Sequence, residues 1–387
     1  MKNILGLLLV FFCISCSDAV DEDLQTISPV NFGAPLSVDI SDLTDSVSYI
    51  PLETTPESLL GYIDNVSCDD DYIFVNSNHK LYSFKSDGSF VSQVGRQGRG
   101  IGEYSQIDTY FLDRESNRIG IFCSYPGRII FFEYNGTYIK TVNLTQKDAL
   151  SVHMIEVMSE DELIVYYNLP SKPLPVDAQY RIIDIADDPA VSYPLSEASE
   201  LNTGEEGISP FIYSPLVKYK GSYLAAMPLS DRLYQVDEDG AKPRYRVNAM
   251  HLLPDKRYVT KYWTGSVPLF QNTARSQGKS IGVVRLFENG AYLFIDMGDE
   301  LMIWDGDKAM SFGVVSNKSI NMAKGALVSG LSKSNMGHYE ASFLLDNKEH
   351  ISDMSLLRIL EELDYDSNPV VFLYHFKSDI LYQSMDY

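Results

Sequence analysis

The chain has little cysteine, tryptophan or positive charge. Its 387 residues include four cysteines and two tryptophans, and 31 lysines and arginines stand against 53 aspartates and glutamates. So few cysteines, two of them within the first sixteen residues, exclude a disulfide-dense scaffold. Cys68 and Cys123 remain in the body of the chain and read as buried, unbridged thiols. The shortage of cations gives a net charge of −22. Such a surface repels nucleic acid and anionic lipid headgroups, so no nucleic-acid partner is expected. Long apolar runs are missing too. The run over residues 4–12 is too short to persist as a membrane-spanning helix.

Catalytic signatures are equally scarce. There is no HExxH, the six histidines are scattered, and no GxSxG elbow occurs. Gly278-Lys279-Ser280 resembles the end of a phosphate loop, but Thr273 stands where the first glycine belongs. Gly98-x-Gly100-x-Gly102 has no βαβ unit around it and is no dinucleotide fingerprint. Asp69-Asp70-Asp71 reads as a hairpin turn, because the spaced acids of a calcium loop are absent. Nothing calls for a cofactor or a metal. With so many acidic residues, a carboxylate pair for glycoside cleavage has no specificity as a signal.

What the chain does contain is a repeat. An apolar strand, an Asp/Asn/Gly turn and a returning strand recur at residues 81–90, 129–138, 180–191, 233–243, 301–310 and 371–380. Asp87-Gly88 and Asn135-Gly136 are hairpin signals, since glycine supplies the positive φ that tight turns need. Two further strands precede most copies, for instance residues 62–68 and 72–76 before the first. A period near 50 residues, stretched in the later units, fits blades of four antiparallel strands. The expected fold is all-β: a six-bladed β-propeller of four-stranded antiparallel blades. The last blade lacks its outer strand, and residues 47–52 (VSYIPL) are expected to supply it from the N-terminus, which removes exposed edges.

Several stretches resemble one known family, the six-bladed β-propeller lipoproteins of Bacteroidetes, related to NHL-repeat propellers. They are Tyr49-Ile50-Pro51-Leu52-Glu53-Thr54-Thr55, Ser58-Leu59-Leu60-Gly61, Asp87-Gly88-x-Phe90-Val91, Val94-Gly95-Arg96-Gln97-Gly98-Arg99-Gly100-Ile101-Gly102-Glu103-Tyr104, and Asn135-Gly136. Ile101 departs from the pattern, where the family usually carries proline. The resemblance covers about the first 145 residues and implies a propeller at the cell envelope, with no established activity.

Residues 1–15 read as a lipoprotein signal peptide, with a basic start, a short apolar core and Ser15 before Cys16. Cys16 would carry the lipid and tie the protein to the membrane. Residues 16–37 read as an acidic tether, and residues 38–387 as the propeller. Acids just after Cys16 resemble those that route Bacteroidetes lipoproteins to the cell surface. An outer-membrane lipoprotein is therefore expected, at the cell surface where those acids act as the resemblance implies.

Two clusters are candidate ligand sites. In the glycine-rich loop, Arg96, Arg99, Glu103 and Tyr104 read either as ties between blades or as a channel-facing site in which arginine takes a carboxylate or sulfate. In the long insertion over residues 248–278, Arg257, Tyr258, Tyr262 and Trp263 join Lys261 to offer stacking faces and cations, or else pin the loop down. Residues 195–210 form a second, acidic insertion, and residues 352–363 a helix outside the ring. The expected role is a lipid-anchored binding module for a glycan, peptide or envelope protein. The alternatives are a polysaccharide hydrolase or lyase at the channel mouth and a pure assembly scaffold.

Overall fold

The computed structural model describes residues 24–150, 152–167, 180–194, 215–227, 229–237, 240–249, 253–264, 266–298, 300–316 and 336–383. Six small sheets stand in a ring, making a six-bladed β-propeller. Blade one is Ile63–Cys68, Tyr72–Ser77, Lys80–Lys85 and Phe90–Val94. Blade two is Thr109–Asp113, Arg118–Cys123, Arg128–Glu133 and Tyr138–Asn143. Blade three is Val152–Val157, Glu162–Tyr167, Tyr180–Asp184 and Val191–Pro194. Each runs antiparallel in chain order, first strand innermost.

Blades four and five each take an extra strand. Blade four is Leu216–Tyr219, Ser222–Ala226, Arg232–Asp237 and Gly240–Val247. Gln25–Ile27 adds to its outer edge in parallel. Blade five is Arg285–Asn289, Tyr292–Asp296, Leu301–Trp304 and Ala309–Ser316. Leu36–Asp39 adds to it, again in parallel. Two blades are thus five-stranded and not wholly antiparallel. The tether expected over residues 16–37 is corrected from residue 25 onward, where the chain already covers blade edges that would otherwise lie open.

Thr44–Pro51 then closes blade six, as expected, pairing Ile50 with Val371 and Ser48 with Leu373. Among the described residues this blade has three strands, with Met336–Tyr339 innermost and Val370–Phe376 in the middle. The sixth hairpin expected over residues 371–380 does not form. After Phe376 the chain turns into the helix Ile380–Gln383, because the N-terminal strand already occupies the edge where a return strand would pair. The expected outer helix is Met354–Leu360, capped by Asp353 and burying Leu356 and Leu360. Cys16 and residues 195–210 lie outside the described residues.

The apolar core is divided into wedges, one per blade interface. Phe74, Leu81, Tyr104, Ile121 and Phe132 fill the one between blades one and two. The abundance of tyrosine follows from this geometry: the ring fills a wedge while the hydroxyl reaches the next blade. Tyr134 donates to Asp69 Oδ2 at 2.7 Å, Tyr180 to the Ala226 carbonyl at 2.6 Å, and Tyr292 to the Ser378 carbonyl at 2.6 Å. Ser83, a polar break in an apolar strand, is fully buried and donates across the same kind of interface to the Tyr134 carbonyl.

The seam where the ring closes is built from the residues that carried the family resemblance. Asn368 is 2 % exposed; its amide donates to the Glu53 and Ser58 carbonyls and its oxygen accepts from Leu60 N. Gly88 sits at φ +91°, and a Cβ there would lie 2.2 Å from the Pro51 carbonyl oxygen, so only glycine lets the first blade's turn meet the closing strand.

Alternating strand direction gives the ring two distinct faces. Turns joining first to second and third to fourth strands lie on one face. Turns joining second to third strands, and the connections between blades, lie on the other.

Candidate functional site

A cavity of about 960 Å³ runs along the ring axis, lined from all six blades. Its wall comes mainly from the first strands and from the turns that follow them, so it opens on the first-turn face. Toward blade six the wall is apolar, with Ile50, Ile73, Met336 and Leu373. The opposite side is charged.

The charges come from neighbouring blades at matching positions. Glu156, Lys218 and Glu288 are each the second-to-last residue of the first strand, in blades three, four and five. Blade two adds Arg114 and Glu115 from its first turn. Lys218 Nζ lies 3.0 Å from Glu115 Oε1, an ion pair from blade four to blade two that passes over the inner strand of blade three. Arg114 Nη2 donates to the Cys68 carbonyl at 2.9 Å, and its Nε is 3.9 Å from Asp69 Oδ1. Arg118 is held more deeply, donating to Asp113 Oδ2 at 2.6 Å and to the Glu160 carbonyl at 2.5 Å. Tyr223 lies under Lys218, its ring centroid 5.7 Å from the ammonium, and its hydroxyl donates to the Val157 carbonyl.

Glu288 differs from its neighbours. Its side chain makes no hydrogen bond or ion pair with the described residues and is open to the lumen. Withdrawal from bulk water inside the ring raises its proton affinity. Arg114 and Lys218 pull the other way, and Glu156 adds to the rise. The two cations already have partners, whereas the Glu288 side chain has none among the described residues. Among the described residues no group of three or more His, Cys, Asp or Glu side chains is placed to hold a metal ion. No helix among them is long and apolar enough to cross a membrane.

None of the eight side chains expected to bind ligand lines this cavity. All eight sit on blade connections, on the opposite face. In the glycine-rich loop, Arg96–Gln97 pairs in parallel with Glu103–Tyr104. Glu103 accepts from Gly100 N and from Arg96 Nε, both at 2.7 Å, and these bonds hold its carboxyl below the usual range. A Cβ on Gly98 would lie 2.0 Å from Glu103 Oε2, so the glycine is there to let the carboxylate fold back. Tyr104 is fully buried in the wedge between blades one and two, and burial pushes its phenol up to about 12. It has no surface to offer a ligand. Arg128 of blade two donates to the Glu103 carbonyl at 2.7 Å. Only the Tyr104 ring and the Arg128 bond join blade to blade; Arg96 and Glu103 tie the loop to itself. Arg99 stands exposed at its tip.

The insertion over residues 248–278 folds into two helices, Lys256–Tyr262 and Val267–Ser276. Asp255 caps the first through Tyr258 N at 2.7 Å. Tyr258 and Tyr262, one helical turn apart, pack with centroids 4.5 Å apart. Trp263 meets the fully buried Phe270 edge to face at 5.8 Å. Lys261 lies 4.8 Å from the Tyr262 centroid, and its hydrogen bond lowers that phenol's proton affinity. The aromatics thus pin the helices to each other, and Arg257 remains exposed.

Sequence reasoning missed Arg114, Glu115, Glu156, Lys218 and Glu288. For Glu156, Lys218 and Glu288 the signal is a charge one residue before the end of each inner strand, as in VHMIEV, LVKY and RLFEN; Arg114 and Glu115 lie in a turn and carry no such signal.

The match of a family profile to residues 25–375 settles the relationship. The chain belongs to the DUF4934 family. DUF4934 is described as a domain of unknown function, and its match begins with the strand Gln25–Ile27 and ends within Val370–Phe376. A crystal structure of a Bacteroides fragilis protein described as exported is similar to this DUF4934 chain at 15 % identity, with a TM-score of 0.65. The likeness covers 92 % of this chain and all of the other, and it speaks for the fold alone. A DUF4221 member from Bacteroides vulgatus is similar at 10 % identity over 87 % of this chain and 97 % of its own, with a TM-score of 0.47. No curated protein matches the sequence.

Proposed function

We propose that this DUF4934 protein is a lipid-anchored, cell-envelope binding module that takes part of a glycan, peptide or partner protein into the mouth of its central channel. The observation that carries the reading is the axial cavity with an unpaired Glu288 in its wall. A concave site with a few convergent polar groups is the default place for a protein to receive a ligand. The leader over residues 1–15, Cys16 and the exported description of the Bacteroides fragilis relative support the address. On that reading Cys16→Ala stays unlabelled by a palmitate analogue in cells, and equal labelling of mutant and wild type contradicts the anchor.

The binding test is a glycan and peptide array probed with purified wild type, Glu156→Gln/Glu288→Gln and Arg99→Ala/Arg257→Ala. Hits that vanish only with the first double variant support the channel. Hits lost only with the second move the site to the blade connections.

A second reading draws on the same pair. A carboxyl with raised proton affinity beside another carboxylate is the arrangement of a general acid and its partner in polysaccharide cleavage. Release of reducing ends from a polysaccharide by wild type, lost in Glu288→Gln, would establish that reading. Binding without release leaves the module non-catalytic.

A further inference from the structure

We propose that the channel of this protein is selective for a cationic group, a primary amine or guanidinium such as a lysine or arginine side chain, received between Glu156 and Glu288. The inference rests on the channel being the binding site and names the chemistry that the site would take.

Three observations converge on it. First, the carboxylates of the wall outnumber its cations: Asp69, Asp70, Asp108, Glu115, Glu156, Glu160 and Glu288 line it with Arg114 and Lys218, while Asp113 is neutralised by Arg118 behind it. Second, both cations are already engaged. Arg114 is held by the Cys68 carbonyl beside Asp69, and Lys218 reaches away from its own blade to Glu115. An incoming anion would compete with Asp69 and Glu115 for these cations and face the other acids of the wall. Third, Lys218 leans toward blade two, while Glu156 and Glu288 stand on the first strands on either side of it. The carboxylate of Glu288 has no partner among the described residues. A donor cation placed there gains charge-assisted hydrogen bonds.

The apolar side of the same cavity shapes the rest of the ligand. Met336, Ile73 and Leu373 line the wall toward blade six. They suit the methylene stem of a lysine-like group, which buries its carbons while its charge meets oxygen.

The test is calorimetric titration of the whole purified protein with 1,5-diaminopentane, 1,5-pentanediol, glutarate and calcium chloride, each alone, at low salt. The diamine is expected to bind, and the diol and glutarate to give no heat of binding. Glu156→Gln/Glu288→Gln should weaken the diamine by roughly tenfold or more, the scale of one lost charge-assisted bond. Lys218→Met should tighten it, because it removes a cation whose charge is felt at Glu288. Opposite signs from two variants of unchanged melting temperature cannot come from misfolding. Glutarate binding in place of the diamine, calcium binding that the diamine does not displace, or diamine affinity unmoved by both variants would overturn the inference. If the diamine fails to bind while array ligands still need Glu156 and Glu288, the channel reading stands and the cation assignment falls. If array ligands ignore both residues, the channel reading itself falls.

Discussion

The two faces of this propeller use charge and aromatic side chains in opposite ways. On the blade-connection face, a motif-rich loop closes on itself: Arg96 pairs with Glu103, and Tyr104 is buried. The helical insertion does the same with aromatics, since Tyr258, Tyr262, Trp263 and Phe270 pack on one another. On the first-turn face no motif is visible, yet Arg114, Glu156, Lys218 and Glu288 arrive from four blades around one cavity. A dense local motif here reports a chain that must turn tightly between blades. A candidate site assembled on a ring leaves one residue per repeat and no local signature.

The comparison can be broken by substitution, and the largest effect is expected where the motif lies. Tyr104→Ala empties a fully buried wedge and should cost about 3–5 kcal/mol, the usual range for deleting a buried aromatic. Denaturant unfolding measures it, and a loss under about 1 kcal/mol would mean that the loop is less structural than its burial indicates.

Trp263→Ala comes next. The indole is partly exposed and touches Phe270 at one edge, so about 1–3 kcal/mol is expected, visible as a lower Tm with ligand affinity unchanged. A fall in affinity at constant Tm would return the insertion to the list of binding sites.

Smaller still is the pH response of Glu288. Its carboxyl holds its proton to higher pH in the folded chain than in the unfolded one, so between those two values the folded state binds more protons. Stability therefore falls as pH rises from about 4.3, the ordinary glutamate value, through the raised folded value. Glu288→Gln should flatten this segment of the stability–pH curve and leave the rest alone. An unchanged slope would show that another carboxylate titrates there.

The smallest effect belongs to Lys218→Met. The Lys218–Glu115 pair is exposed on both sides, so stability should move by less than about 1 kcal/mol.

Much of the fold was legible because each blade states its own rules. Alternating apolar residues and Asp-Gly or Asn-Gly turns placed the strands of blades one and two within a residue or two of Ile63–Cys68 and Arg128–Glu133. The closing strand was readable too, since VSYIPL is an extended apolar run with no partner nearby in sequence. The parallel strands Gln25–Ile27 and Leu36–Asp39 were not, because three or four residues carry no periodicity and their partners lie more than 200 residues away. The helix Lys256–Tyr262 was readable in principle from Asp255 as cap and from tyrosines four apart. The candidate site was illegible for a geometric reason. Its charges become neighbours only once the ring closes, and each alone is an ordinary residue near the end of a strand.

The most direct test of the division between the two faces is carboxylate footprinting by carbodiimide coupling and mass spectrometry, with and without a ligand identified on the array. Glu156 and Glu288 should be protected on binding, while Glu103 keeps its reactivity. Protection at Glu103 with Glu156 and Glu288 still labelled would place the site on the blade connections and contradict the account.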